Sequence, residues 1–185
     1  MTPTTAQPIR FKAKLLRPAE AGKPPIWSFL ILPQNASAKL PTRSMLTAEG
    51  TLNGSPFLAT LEPDGQGSHW LKVSRKLRET AGAAEGDIVT LEIAPVSEEP
   101  EPTVPPELRK ALAAADPKAR SVWADITPVA RRDWIFWMTS AKQAETRARR
   151  IVTACSMLAA GKRRTCCFDR SGLYSKSLSA PKAAD

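Results

Sequence analysis

Hydrophobic and polar positions alternate by twos along the first half of the chain and recur by threes and fours along the second. Ile9, Phe11, Ala13 and Leu15 alternate with Arg10, Lys12, Lys14 and Leu16, which predicts a half-buried strand ending at Pro18. Residues 26–32 are apolar at nearly every position. That run predicts a central strand with Trp27, Phe29 and Ile31 on one face. Residues 35–40 have room for one helical turn before Pro41. Residues 45–52 alternate weakly, and Asn53-Gly54 suits the positive φ angles of a two-residue hairpin turn that leads into Phe57, Ala59 and Leu61. Proline, glycine and polar residues make 62–67 a loop.

Residues 71–93 carry the clearest unit, read as strand, short helix, tight turn and strand. Ser74 can cap the helix, Gly82 can supply a left-handed residue to end it, and Gly86-Asp87 is turn chemistry ahead of an alternating strand. Short strands at close spacing with one well-marked helix predict a small β-barrel over residues 8–95, capped by that helix. Residues 96–104 are acidic, rich in proline and poor in large apolar side chains, as an extended linker would be.

Beyond the linker the period becomes helical, and residues 105–162 form a helical domain. Asp116-Pro117 and Thr127-Pro128 each set a capping side chain before a first-turn proline, and Gly161 can end the last helix. Three or four helices result. Ala144, Ala148, Ile151, Cys155 and Leu158 fall at three- and four-residue spacing and predict the buried stripe of the longest helix, while Lys142, Glu145, Arg149 and Thr153 face water. Trp123, Trp134 and Trp137 supply the rest of that core. The fold class is therefore α+β, a barrel followed by a helical bundle, with residues 163–185 as a basic tail.

Charge adds a functional hint. The 185 residues carry a formal net charge of +9, and much of the surplus falls late in the chain. Lys142, Arg147, Arg149, Arg150, Lys162, Arg163 and Arg164 are the expected binding residues for an anionic or protein partner. Nucleic acid is a further partner class, with Phe168 and Tyr174 as stacking residues. No run of apolar residues reaches the length of a membrane span, and without a secretory signal the expected location is cytoplasmic.

Catalytic chemistry finds little support. His69 is the only histidine, and a lone imidazole reads as a surface or hydrogen-bonding residue. No cysteine spacing suits zinc, so neither metal nor cofactor is expected. Gly65-Gln66-Gly67 lacks the lysine and helix of a phosphate-binding loop. Asp64, Asp87, Asp125 and Asp133 are scattered. Cys155 reads as structural. Cys166 and Cys167 follow Lys162, Arg163 and Arg164, whose charge favours thiolate, which makes them the candidate reactive thiols of a thiol-dependent enzyme or redox protein. The leading expectation is a binding protein and not an enzyme.

Two stretches resemble known families. Residues 104–112, 141–151 and 157–162 resemble the YdeI/OmpD-associated, or bacteriocin-protection, family. Leu52-Asn53-Gly54-Ser55-Pro56-Phe57 and Gly86-Asp87-Ile88-Val89 resemble the domain of unknown function often fused before it, a double-split β-barrel. The resemblance implies a bacterial protein linked to tolerance of antimicrobial peptides or bacteriocins, and brings no catalytic residues. Val73-Ser74-Arg75-Lys76-Leu77-Arg78 with Glu85-Gly86-Asp87-Ile88-Val89 is also similar to AbrB and MazE domains, which dimerise into DNA-binding barrels. That likeness implies a homodimeric regulator with Arg75, Lys76 and Arg78 as phosphate contacts.

Overall fold

Six strands and six helices follow one another in a computed structural model that describes residues 7–19, 26–165, 170 and 178–184. The chain divides into two units, residues 1–98 together with 169–185, and residues 99–168.

The first unit is a curled antiparallel sheet. It contains β1 (Ile9–Lys14), β2 (Trp27–Ile31), β3 (Leu46–Leu52), β4 (Ser55–Pro63), β5 (His69–Ser74) and β6 (Ile88–Pro95), in the order β1-β6-β3-β4-β5-β2. Alternation places Phe11, Leu61, Leu71, Val89, Leu91 and Ile93 on the concave side, where they form one core with Leu30 and Leu52. The sheet curls until its two end strands meet. Leu16 N–H donates to Phe29 O at 2.7 Å, and Phe29 N–H donates back to Leu16 O at 2.9 Å.

Turn chemistry fixes the register. Asn53 at φ 48° and Gly54 at φ 85° close the β3–β4 hairpin with Leu52 opposite Ser55. Two short helices fill the connections, α1 (Gln34–Ser37) after β2 and α2 (Arg75–Thr80) after β5. Ser74 Oγ accepts from Leu77 N–H at 3.2 Å as the N-cap of α2, and Gly82 at φ 60° follows its last turn.

The apolar run 26–32 does not make a central strand. β2 lies at the end of the sheet and has β5 as its strand neighbour. Its sequence is apolar at every position but Ser28 because both faces are covered: Leu30 enters the core, while Phe29 is fully buried on the other face beside Trp27 and Trp70. Ile31 alone of the predicted face turns outward, 39% exposed.

Of the residues read as a basic tail, 178–184 belong to this unit. Leu178 is buried, Pro18 and Ala183 form an antiparallel bridge, and Ala180 N–H donates to Asp64 O at 3.1 Å.

The second unit is helical, with α3 (Pro106–Ala114), α4 (Pro117–Asp125), α5 (Pro128–Thr139) and α6 (Ala144–Ala159). Proline occupies the first turn of α3, α4 and α5, where no helical hydrogen bond is lost. Asp116 accepts from Lys118 N–H at 2.7 Å, and Thr127 from Ala130 N–H at 3.2 Å. α6 packs against α3, α4 and α5. Trp134 is fully buried among Leu108, Leu112, Met138 and Leu158, with Trp137 edge-on to it at 6.0 Å.

The acidic linker is extended, and its carboxylates Glu99 and Glu101 are anchored on this unit. Glu101 forms a two-pronged pair with Arg131 at 2.7 and 2.8 Å, and Glu99 pairs with Arg132 at 2.6 Å, both on α5.

Candidate functional site

The predicted stripe of α6 is where sequence and structure part most usefully. Leu158 is buried and Ile151 and Cys155 are half-buried, but Ala144 and Ala148 are exposed. The inward positions of the first turns of α6 belong instead to Arg147 and Arg150. The reason lies in the end of α5 and the loop after it, whose carbonyls have no helical partner. Arg147 Nη1 donates to Ala141 O and Lys142 O, each at 2.9 Å. Arg150 Nη1 donates to Trp137 O at 2.7 Å, and its guanidinium lies 5.4 Å from the Trp137 ring centre. Arg150 thus satisfies a carbonyl in the last turn of α5, and Arg147 satisfies two carbonyls of the loop between α5 and α6.

That arrangement opens a cavity of about 520 Å³ between the start of α3, the end of α5 and the first half of α6. Leu108, Met138, Ala144, Ala148 and Ile151 give it apolar walls, and Glu107, Thr139 and Arg147 supply the polar groups. The volume falls within the range of about 300–1,000 Å³ typical of small-molecule sites. Arg147 uses one nitrogen on the two carbonyls, and its other nitrogens make no hydrogen bond among the described residues. A preorganised guanidinium beside an apolar wall can hold a carboxylate or phosphate against a greasy body.

The predicted basic residues fall into separate groups. Arg147 and Arg150 are held as described. Arg163 is tied to Asp125, with Nη1 at 2.5 Å from the carboxylate and Nη2 at 3.2 Å from the carbonyl, and its own carbonyl accepts from Trp134 Nε1 at 3.4 Å. Lys142, Arg149, Lys162 and Arg164 are exposed. Lys142 precedes α6 and Lys162 follows it, so a helix of sixteen residues, roughly 24 Å at 1.5 Å per residue, separates the two ends.

On α2, Arg78 donates to Ser28 Oγ at 2.5 Å and Glu85 Oε1 at 2.8 Å, locking the helix to β2 and the following turn. Arg75 pairs with Glu79 at 2.6 Å, and Lys76 is exposed. A phosphate approaching this six-residue helix meets one exposed lysine and two arginines already paired with carboxylates.

Cys166, Cys167, Phe168 and Tyr174 lie outside the described residues. Burial pushes the Cys155 thiol up, away from thiolate. Among the described residues no group of three or more His, Cys, Asp or Glu side chains could hold a metal ion, and no helix is long and apolar enough to cross a membrane.

Spacing in sequence concealed one constellation. His69 is 1% exposed; its Nδ1 lies 2.7 Å from Ser37 Oγ and its Nε2 3.1 Å from Ser44 O. The imidazole is a buried hydrogen-bonding residue whose partners come from α1 and the segment before β3.

A curled antiparallel sheet joined by an anchored acidic segment to a four-helix unit with an amphipathic cavity defines a two-unit α+β protein. Residues 11–93 match the family described as Domain of unknown function (DUF1905), and residues 101–161 match Bacteriocin-protection, YdeI or OmpD-Associated. The chain carries a DUF1905 domain followed by a YdeI/OmpD-associated domain. No curated protein shows a significant match to it.

Proposed function

We propose that the helical unit is a binding module for a ligand with an apolar body and an anionic group, held in the cavity between α3, α5 and α6. The observation that carries this reading is the pairing of apolar walls with Arg147, whose orientation is fixed by two backbone carbonyls before any ligand arrives. Preorganisation of this kind lowers the entropic cost of binding. Among the described residues the lining is apolar apart from Glu107, Thr139 and Arg147, which supports a reading of binding. The family's description as bacteriocin-protection supports a protective role, in which the cavity would sequester an amphipathic molecule.

Titrating isotope-labelled protein with octanoate and octanamide, followed by backbone amide shifts, tests it. Octanoate should move the signals of Ala144, Ala148 and Ile151 and bind about tenfold or more tightly than octanamide, the worth of a charge-assisted hydrogen bond. Ala148→Trp, at an exposed wall position, should fill the cavity and abolish those shifts while the fold is kept. Saturable binding with no shift at these residues would refute the site, and equal affinity for the two probes would refute the role of the guanidinium.

A further inference from the structure

We propose that Ser37 and His69 form a nucleophile–base pair that accepts acyl groups from small carboxylic esters. The pair belongs to the first unit and is independent of the cavity in the helical unit.

Tautomer logic gives the pair its direction. Ser44 O can only accept, so Nε2 of a neutral His69 carries the ring proton and donates to it at 3.1 Å. Nδ1 then has a lone pair, and the only role left to the Ser37 hydroxyl, 2.7 Å away, is donor. A hydroxyl donating to an imidazole that is itself oriented by a third group is the arrangement that activates a serine. Burial, the largest influence, holds the imidazole below its usual pKa and so keeps it neutral. The charged groups that act on it oppose one another, Asp64 favouring the imidazolium and Arg43 disfavouring it.

Ser37 also lines a cavity of about 250 Å³ with Gln34, Thr42, Arg43 and Gly67. Arg43 Nη1 lies 3.5 Å from Gly67 O, at the limit of a hydrogen bond, so its guanidinium can turn to a stronger acceptor. The backbone N–H groups of Thr42 and Arg43 have no acceptor among the described residues. Gly67 adopts φ +92°, a backbone conformation that favours glycine, and a Cβ there would meet Arg43 Nη1 at 3.5 Å. The cavity thus places Ser37 in one lining with the Arg43 guanidinium, a cationic donor of the kind that stabilises an oxyanion.

In the step, Ser37 Oγ bonds to the ester carbonyl carbon as its proton passes to Nδ1 of His69. Collapse of the tetrahedral adduct breaks the bond to the alkoxide, which leaves with that proton. Water then attacks the acyl-serine through the same base, releasing the carboxylic acid and restoring the hydroxyl.

The whole chain is incubated with p-nitrophenyl acetate and, separately, with a fluorophosphonate, and adducts are mapped by peptide mass spectrometry. Ser37 should carry both labels, and nitrophenol release should fall at least about a hundredfold in Ser37→Ala. Arg43→Gln, a change away from the buried pair, should slow labelling without altering the circular dichroism spectrum. The acylation rate should rise with pH to a plateau with a midpoint below 6.5, the ordinary imidazole value. Adducts confined to other residues would overturn the proposal, as would a Ser37 labelling rate that shows no rise with pH anywhere between about pH 3 and about pH 8, the window from a strongly lowered to an ordinary imidazole. Any of these results leaves the octanoate experiment unaffected.

Discussion

Glu62 stands opposite Trp70 on the β4–β5 pair, and burial pushes its carboxyl up from 4.5 to about 7 against the attraction of Lys72. The folded state therefore holds this proton where the unfolded chain has lost it. Its contribution is fully present below pH 4.5 and is lost as pH rises through about 7. Glu62→Gln should remove that dependence. The difference in unfolding free energy between variant and parent should grow in favour of glutamine from acid to neutral pH, by on the order of 2–3 kcal/mol at about 1.4 kcal/mol per pKa unit. Denaturant melts at a series of pH values read it directly. Arg149 and Arg150 make the complementary case, since adjacent residues of one type have different duties. Arg150→Ala should destabilise the helical unit by about 1.5–3 kcal/mol through loss of a charged hydrogen bond to Trp137 O. Arg149→Ala, on the exposed side, should stay within about 0.5 kcal/mol of the parent.

At the scale of elements, the β3–β6 pair depends on the absence of a side chain. A Cβ on Gly50 would overlap Glu92 O and crowd the Ile93 backbone, across the register that pairs Gly50 with Ile93. Gly50→Ala should therefore cost about 1–3 kcal/mol as an overpacking change, seen as a lower unfolding midpoint of the sheet. The helices depend on their caps. Thr127→Ala should cost about 1 kcal/mol by freeing Ala130 N–H at the start of α5, and Thr127→Ser should restore most of it. Fluorescence of Trp134 and Trp137, which pack edge to face in that helical core, reports the loss.

At the scale of the molecule, the first unit is assembled from both ends of the described chain. Residues 178–184 supply a buried Leu178, a bridge from Ala183 to Pro18, and hydrogen bonds from Ala19 to Lys182 and from Ala184 to Arg17, both 2.8 Å. A fragment of residues 1–98 should accordingly unfold at lower denaturant than the same unit in the whole chain. Burial of one leucine alone is worth about 1.5–3 kcal/mol, and a peptide of residues 178–185 added in trans should recover part of the difference. An unchanged midpoint would show that the tail contributes nothing to the unit.

Local chemistry in the sequence determined the elements. The period-two runs of β1 and β6, the Asn53-Gly54 turn, the Ser74 cap and the proline-started helices rest on interactions among near neighbours, which a linear reading can see. The families too were legible, because their motifs lie in these same local units. Tertiary structure decided the rest. It placed β2 at the end of the sheet, since an apolar run requires only that both faces be covered, and a run cannot say by what. It turned Arg147 and Arg150 inward, against the apolar period, because carbonyls at the end of α5 and in the loop after it needed donors more than α6 needed a continuous stripe; the cavity lined by Ala144 and Ala148 lies beside Arg147. It brought Ser37 and Ser44 to His69 across 32 and 25 residues of sequence, a distance over which spacing carries no information and only the path of the backbone does.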